Sequence, residues 1–202
     1  LVSGAVFSDV DNDGDSDLVL ACHWGPVRVM RNDKGTFTDG TESLGLAGLT
    51  GLWNGIATGD LDGDGRIDIV AGNWGLNTRW KATPEQALKL YYGDLDENGI
   101  TDMVEARFEK TMNKEVPIRT MKSIGPAIPF VPEKMRTYAA YGSASVQEIY
   151  GEALQKAQVL QVTTLATTLF LNRGGKFEAK ALQAEAQFTP AFGICVADFD
   201  GD

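Results

Sequence analysis

Four acidic segments with one shared spacing constrain this chain more than any other feature. Asp9, Asp11, Asp13, Asp15 and Asp17 form the first; Asp60, Asp62, Asp64 and Asp68 the second; Asp94, Asp96, Asn98 and Asp102 the third; and Asp198, Asp200 and Asp202 begin a fourth. Counted from the leading aspartate, positions one, three, five and nine carry side-chain oxygens, and position six is glycine (Gly14, Gly65, Gly99). Carboxylates crowded in this way repel one another unless a cation sits among them. Asp, Asn and Gly are also ordinary turn residues, so a single copy would carry little weight. Three complete copies and a fourth begun are a repeat, and repeats decide the architecture before local propensities do.

The spacing matches the needs of calcium, which takes six to eight oxygen ligands. Carboxylates at positions one, three and five converge on one ion if the chain then turns sharply, and glycine at position six permits that turn at φ > 0. Position seven is Asp15, Arg66 or Ile100, so the expected ligand there is the backbone carbonyl, with position nine closing the site. About one Ca2+ per complete loop is expected. An EF-hand would need Glu at position twelve and flanking helices, whereas that position is Leu20, Ala71 and Glu105. The flanks are instead short apolar or β-branched runs: Ala5 to Phe7, Ile56 to Thr58, Leu90 to Tyr92 and Ile194 to Val196 before the loops, Leu18 to Leu20, Ile69 to Ala71 and Met103 to Val104 after them. Each loop is therefore predicted as a hairpin turn. Its position-two residue (Val10, Leu61, Leu95, Phe199) is expected to tuck against the sheet.

Of the 28 acidic residues behind the net charge of −10, 16 lie in these segments, leaving 12 acidic against 17 basic residues elsewhere, so the acidity is local. Nucleic acid is an unsuitable partner for so acidic a chain. No run of eighteen apolar residues occurs, so membrane insertion of this segment is not expected. One histidine, His23, rules out multi-histidine zinc sites. The two cysteines, Cys22 and Cys195, are too few for a disulfide scaffold, and Cys195 is expected to be a small buried apolar residue. Trp24, Trp53, Trp74 and Trp80 are read first as packing residues and second as a sugar-stacking surface.

Phe192-Gly193-Ile194 ahead of Asp198, and the run from Asn54 to Asn73 through the second loop, resemble the FG-GAP or VCBS repeats of integrin α-type propellers. The stretches Trp53 to Asn77 and Phe130 to Tyr150 resemble the repeat portion of ASPIC/UnbV-type proteins, the group that includes cartilage acidic protein. The resemblance implies an all-β fold of four-stranded propeller blades, the loop joining the first two strands of each, with calcium in a structural role. Asn98 in place of aspartate implies weaker binding at the third loop.

Loops recur after 51, 34 and 104 residues. The expected organisation is a partial propeller of about three to four blades out of seven or eight: a blade over 1–50, a reduced blade over 51–88, a blade over 89–190 and the start of another over 191–202. In the third, a helical insertion over 107–163 would precede outer strands at Thr168 to Leu171 and Lys176 to Ala179. Within it, Ser145 and Glu148 have capping-box spacing ahead of an apolar stripe from Val146 to Ala157, and a shorter helix is expected from Pro132 to Tyr141. The expected function is an extracellular, cell-surface or periplasmic module of a longer chain that binds a protein or glycan partner and is not an enzyme. The alternatives are a propeller domain of a polysaccharide lyase or hydrolase, and a purely architectural module.

Overall fold

The computed structural model describes residues 1–198, which fall into two compact units: residues 1–79 with the chain from Val162 onward, and Trp80–Gln161. In chain order the strands are β1 (Val2–Ser8), β2 (Asp17–Pro26), β3 (Arg28–Asp33), β4 (Thr36–Asp39), β5 (Thr50–Leu52), β6 (Gly55–Gly59), β7 (Asp68–Gly72), β8 (Leu88–Gly93), β9 (Asp102–Glu109), β10 (Lys114–Pro117), β11 (Gln158–Val162), β12 (Thr168–Asn172) and β13 (Phe177–Ala181). The helices are α1 (Met121–Ile124), α2 (Phe130–Met135), α3 (Tyr138–Ser143) and α4 (Val146–Tyr150). The chain is mostly β in antiparallel sheets, a propeller-like arrangement. Among the described residues no helix is long and apolar enough to cross a membrane.

The first unit holds two sheets. One is the meander β1-β2-β3-β4, with β5 paired to the far end of β2; the other has the order β13-β12-β7-β6. Alternation along β2 turns Val19 and Ala21 inward, while the central strand β7 is buried from end to end, as its unbroken run Ile69, Val70, Ala71 requires. Val19, Val29, Trp53, Ile69 and Phe170 share one core, in which the Trp53 and Phe170 rings meet edge to face at 5.6 Å. Gly51 makes room for this, since a Cβ there would lie 2.6 Å from the Trp53 ring. Trp53, fully buried, has no part in a sugar-stacking surface.

The second sheet corrects the sequence spacing. Thr168 to Leu171 and Lys176 to Ala179 were expected to be the outer edge of the third repeat, yet β12 pairs with β7, with Thr168 opposite Ala71 and Phe170 opposite Ile69. The second repeat is therefore a full four-stranded sheet, not a reduced one. The 34-residue loop interval reflects an excursion leaving the chain between β7 and β12. The physical reason lies in the core: Phe170 completes the apolar layer around Trp53 and Ile69.

The Trp80–Gln161 unit contains the sheet β10-β9-β8-β11. Val104 and Ala106 of β9 share a core with Ile124, Ile128, Val131, Val146, Ile149 and Tyr150, so the short helices cover their own sheet. The two predicted helices are each interrupted. Arg136 at φ 58° ends α2 before Thr137 caps α3, and Gly151 at φ 55° ends α4 before a 3-10 stretch over Gly151–Lys156. The capping box forms: Ser145 Oγ accepts from the Glu148 amide, and Glu148 accepts from the Ser145 amide. That amide, followed by Lys114, holds the Glu148 carboxyl down to about 2, so the clasp persists above the usual glutamate range and is lost as pH falls towards 2.

Residues 191–198 carry no strand, although Ile194 to Val196 were expected to form one, and Cys195 is exposed. The segment instead lies close to glycines of the second sheet, where Cβ atoms at Gly55 and Gly72 would meet the carbonyls of Phe192 and Ala191 at 2.4 and 2.3 Å.

Phe170→Ala is expected to cost about 3–5 kcal/mol in denaturant unfolding and to red-shift the emission of Trp53. An unshifted spectrum and an unchanged midpoint would contradict the placement of β12 in the second sheet.

Candidate metal centre

Each complete loop begins and ends at the same rung of its hairpin. The last paired residues are Ser8 with Asp17, Gly59 with Asp68 and Gly93 with Asp102. The position-one carboxylate accepts the amides of positions five and six: Asp9 from Asp13 and Gly14 at 3.1 and 2.9 Å, Asp60 from Asp64 and Gly65 at 3.1 and 2.9 Å, Asp94 from Asn98 and Gly99 at 3.0 and 2.8 Å. The position-five side chain accepts the amide of position seven (Asp15, Arg66, Ile100). Two left-handed residues per loop make this possible: Gly14, Gly65 and Gly99 at position six, and Asn12, Gly63 and Glu97 at position four. Sequence inspection identified the former and missed the latter, because only one of the three is glycine.

Position nine is the anchor. Asp17 and Asp68 are fully buried and Asp102 nearly so, and each accepts the position-two amide, from Val10, Leu61 or Leu95, at 3.0–3.1 Å. The second oxygens of Asp17 and Asp68 accept the amides of Asn32 and Asn172, at 2.8 and 2.7 Å, at the turns of the two outer hairpins. Those asparagines were not identified from sequence as site residues. The signal was the shared turn, Asn32 to Gly35 and Asn172 to Gly175, but its two copies stand 15 and 104 residues from their aspartates. The position-two side chain is buried at Val10 and Leu95, while Leu61 is 41% exposed, against expectation.

Carboxylate oxygens of Asp9, Asp11 and Asp13, of Asp60, Asp62 and Asp68, and of Asp94, Asp96 and Asp102 lie within 4.8 Å of one another in each set. Oxygens bound to one calcium at 2.3–2.6 Å are separated by about this much. Asp64 stands outside its set and is paired with Arg66, with Arg173 at 3.5 Å. The Asp15 carboxylate accepts the Lys34 amide and Ile100 has no side-chain donor, so position seven can offer a metal its carbonyl. Asp198 is exposed, and Asp200 and Asp202 lie outside the described residues.

The electrostatics of the loops fit a hard divalent cation. Burial, followed by the charges of Asp17 and Asp13, pushes the Asp11 carboxyl above its ordinary value; burial likewise raises Asp102, with Asp96 and Asp94 adding to it. Asp96 Oδ1 is buried without a hydrogen-bond partner, an acceptor left for a ligand. The donor sets are all oxygen, which favours calcium or magnesium over softer metals. His23 is engaged elsewhere, its Nε2 lying 2.7 Å from the Asn54 side-chain oxygen.

Residues 9–71, which contain the first two loops, match the family model of the FG-GAP-like repeat. No curated protein matches the chain.

Asp68 separates anchoring from metal binding. Replacing it with Asn turns one acceptor into a donor facing the Leu61 or Asn172 amide, so Asp68→Asn is expected to cost about 2–3 kcal/mol even in EDTA. Denaturant unfolding in chelator checks this, and a loss seen only in calcium would contradict it.

Proposed function

We propose that the three complete loops each hold one structural calcium ion, and that this chain is part of a propeller-like module that binds a protein or glycan partner outside the cell or in the periplasm and does not catalyse a reaction. The observation that carries the reading is the threefold recurrence of one hydrogen-bond pattern, with converging carboxylates each time and an unpartnered buried oxygen at Asp96. Calcium in this reading neutralises carboxylates that burial and mutual repulsion have raised in energy, and so fixes the hairpins on their sheets. Sites with three or four carboxylates on exposed hairpin turns suit the roughly millimolar calcium of extracellular modules. The finer kinship with ASPIC/UnbV-type proteins rests on Trp53 to Asn77 and Phe130 to Tyr150 and forms part of the same proposal. The short-helix unit, packed on its own sheet, contributes an exposed outer surface but no separate activity in this reading.

Three sites at about ten times their dissociation constant would add about 4 kcal/mol and raise the melting temperature by about 10 °C. The pH dependence carries a sign. Calcium needs Asp11 and Asp102 ionised, and their folded pKa values are raised, so the calcium-induced gain is expected to shrink as pH falls from 7 towards the ordinary aspartate value of about 4. Equal melting temperatures in millimolar calcium and in EDTA at pH 7 would refute the calcium reading, and turnover on a glycan panel would refute the non-enzymatic one.

A further inference from the structure

The three loops are not equally open to a cation. In the second, Arg173 from the β12–β13 turn places its Nη1 2.6 Å from Asp62 Oδ2 and 3.5 Å from Asp64 Oδ2, and Arg66 of the loop itself pairs with Asp64. Two of the four loop carboxylates, Asp62 and Asp64, are thus held by two guanidinium groups. In the third loop, Asp94, Asp96 and Asp102 converge, and the neighbouring Lys156 is ion-paired with Glu97 at position four and acts on Asp94 only through the field of its charge. The first loop is intermediate: Arg31 Nε stands 3.6 Å from Asp11 Oδ2.

A guanidinium on a ligand oxygen must leave before calcium can bind there, and the loss of that ion pair subtracts from the calcium affinity.

We propose that Arg173, assisted by Arg66, is an internal counter-cation of the second loop, which calcium has to displace, so that this loop fills last. The inference rests on the calcium reading given above. It reverses the ranking drawn from ligand charge alone, in which Asn98 makes the third loop weakest, because charge count at the second loop has to include the two arginines. Arg173 also contacts Glu178 Oε2 at 3.1 Å, so the displaced side chain has an alternative partner on β13 and its release is not into bare solvent. Calcium at the second loop is thereby coupled to the outer hairpin of its own sheet.

The amides of Gly14, Gly65 and Gly99 donate to Asp9, Asp60 and Asp94 at 2.9, 2.9 and 2.8 Å, so each reports its own loop in a calcium titration followed by 15N NMR of the whole chain. The Gly65 midpoint is expected at roughly tenfold higher calcium than that of Gly99. Arg173→Gln should lower the Gly65 midpoint several-fold and leave Gly14 and Gly99 in place, while Arg173→Lys, which keeps the charge, should fall between. In EDTA the Gln variant should melt below the wild type and in calcium it should not, a reversal that loss of a purely structural contact would not give. Gly65 titrating with or before Gly99 overturns the proposal in the wild type alone, so the test survives a variant that fails to fold. An unmoved Gly65 midpoint in a folded Gln variant overturns it as well. Silence of all three amides up to about 10 mM calcium, well above the extracellular range, removes the calcium reading and this inference together, whereas responsive amides in the wrong order remove only this inference.

Discussion

A buried carboxylate that accepts two backbone amides holds each blade-like sheet of the first unit together. Asp17 and Asp68 have no exposure, and each uses one oxygen on the start of its own loop and the other on the turn of its sheet's outer hairpin. A carboxyl group buried this completely is tolerated because both of its oxygens accept hydrogen bonds from main-chain amides. The loop is thereby fixed at both ends, and Asp9, Asp11 and Asp13 in the first loop and Asp60 and Asp62 in the second are brought together on that frame. Without that anchor, the ligand positions would sit on a mobile turn.

The second sheet shows how far such an anchor can reach. Asp68 and Asn172 are separated by 104 residues, with a compact unit of its own between them, yet the contact matches that of Asp17 and Asn32. Asn172 also donates its side-chain amide to the carbonyls of Val10 and Ile67, so one residue ties together both loops of the first unit. An excursion placed between β7 and β12 is compatible with this because the inner and outer hairpins are each locally complete, and the cost of closing a long loop grows only slowly with its length.

The loops share a backbone and differ in electrostatics. The hydrogen bonds that positions one and five accept, and the one that position nine accepts from the position-two amide, recur nearly unchanged, since their donors are main-chain amides. What varies is the charge brought from outside the loop: Arg31 at the first, Arg173 at the second, and at the third a lysine that meets position four. Identical frames can therefore have different affinities for the same ion.

The sequence by itself determined the features that local chemistry controls: the loop spacing, the left-handed glycine at position six, the strands on either side and the capping box at Ser145. It did not reveal the left-handed residue at position four, where Asn12, Gly63 and Glu97 share a conformation without sharing a side-chain type. Nor did it show that Phe170 belongs with Ile69, that Leu61 is exposed, that Cys195 lies uncovered, or that Arg173 sits on Asp62. The pairing of β12 with β7 and the contact of Arg173 with Asp62 were decided by packing between segments about a hundred residues apart, where no periodicity links the partners and only the shape of the core and the charge it brings together select them.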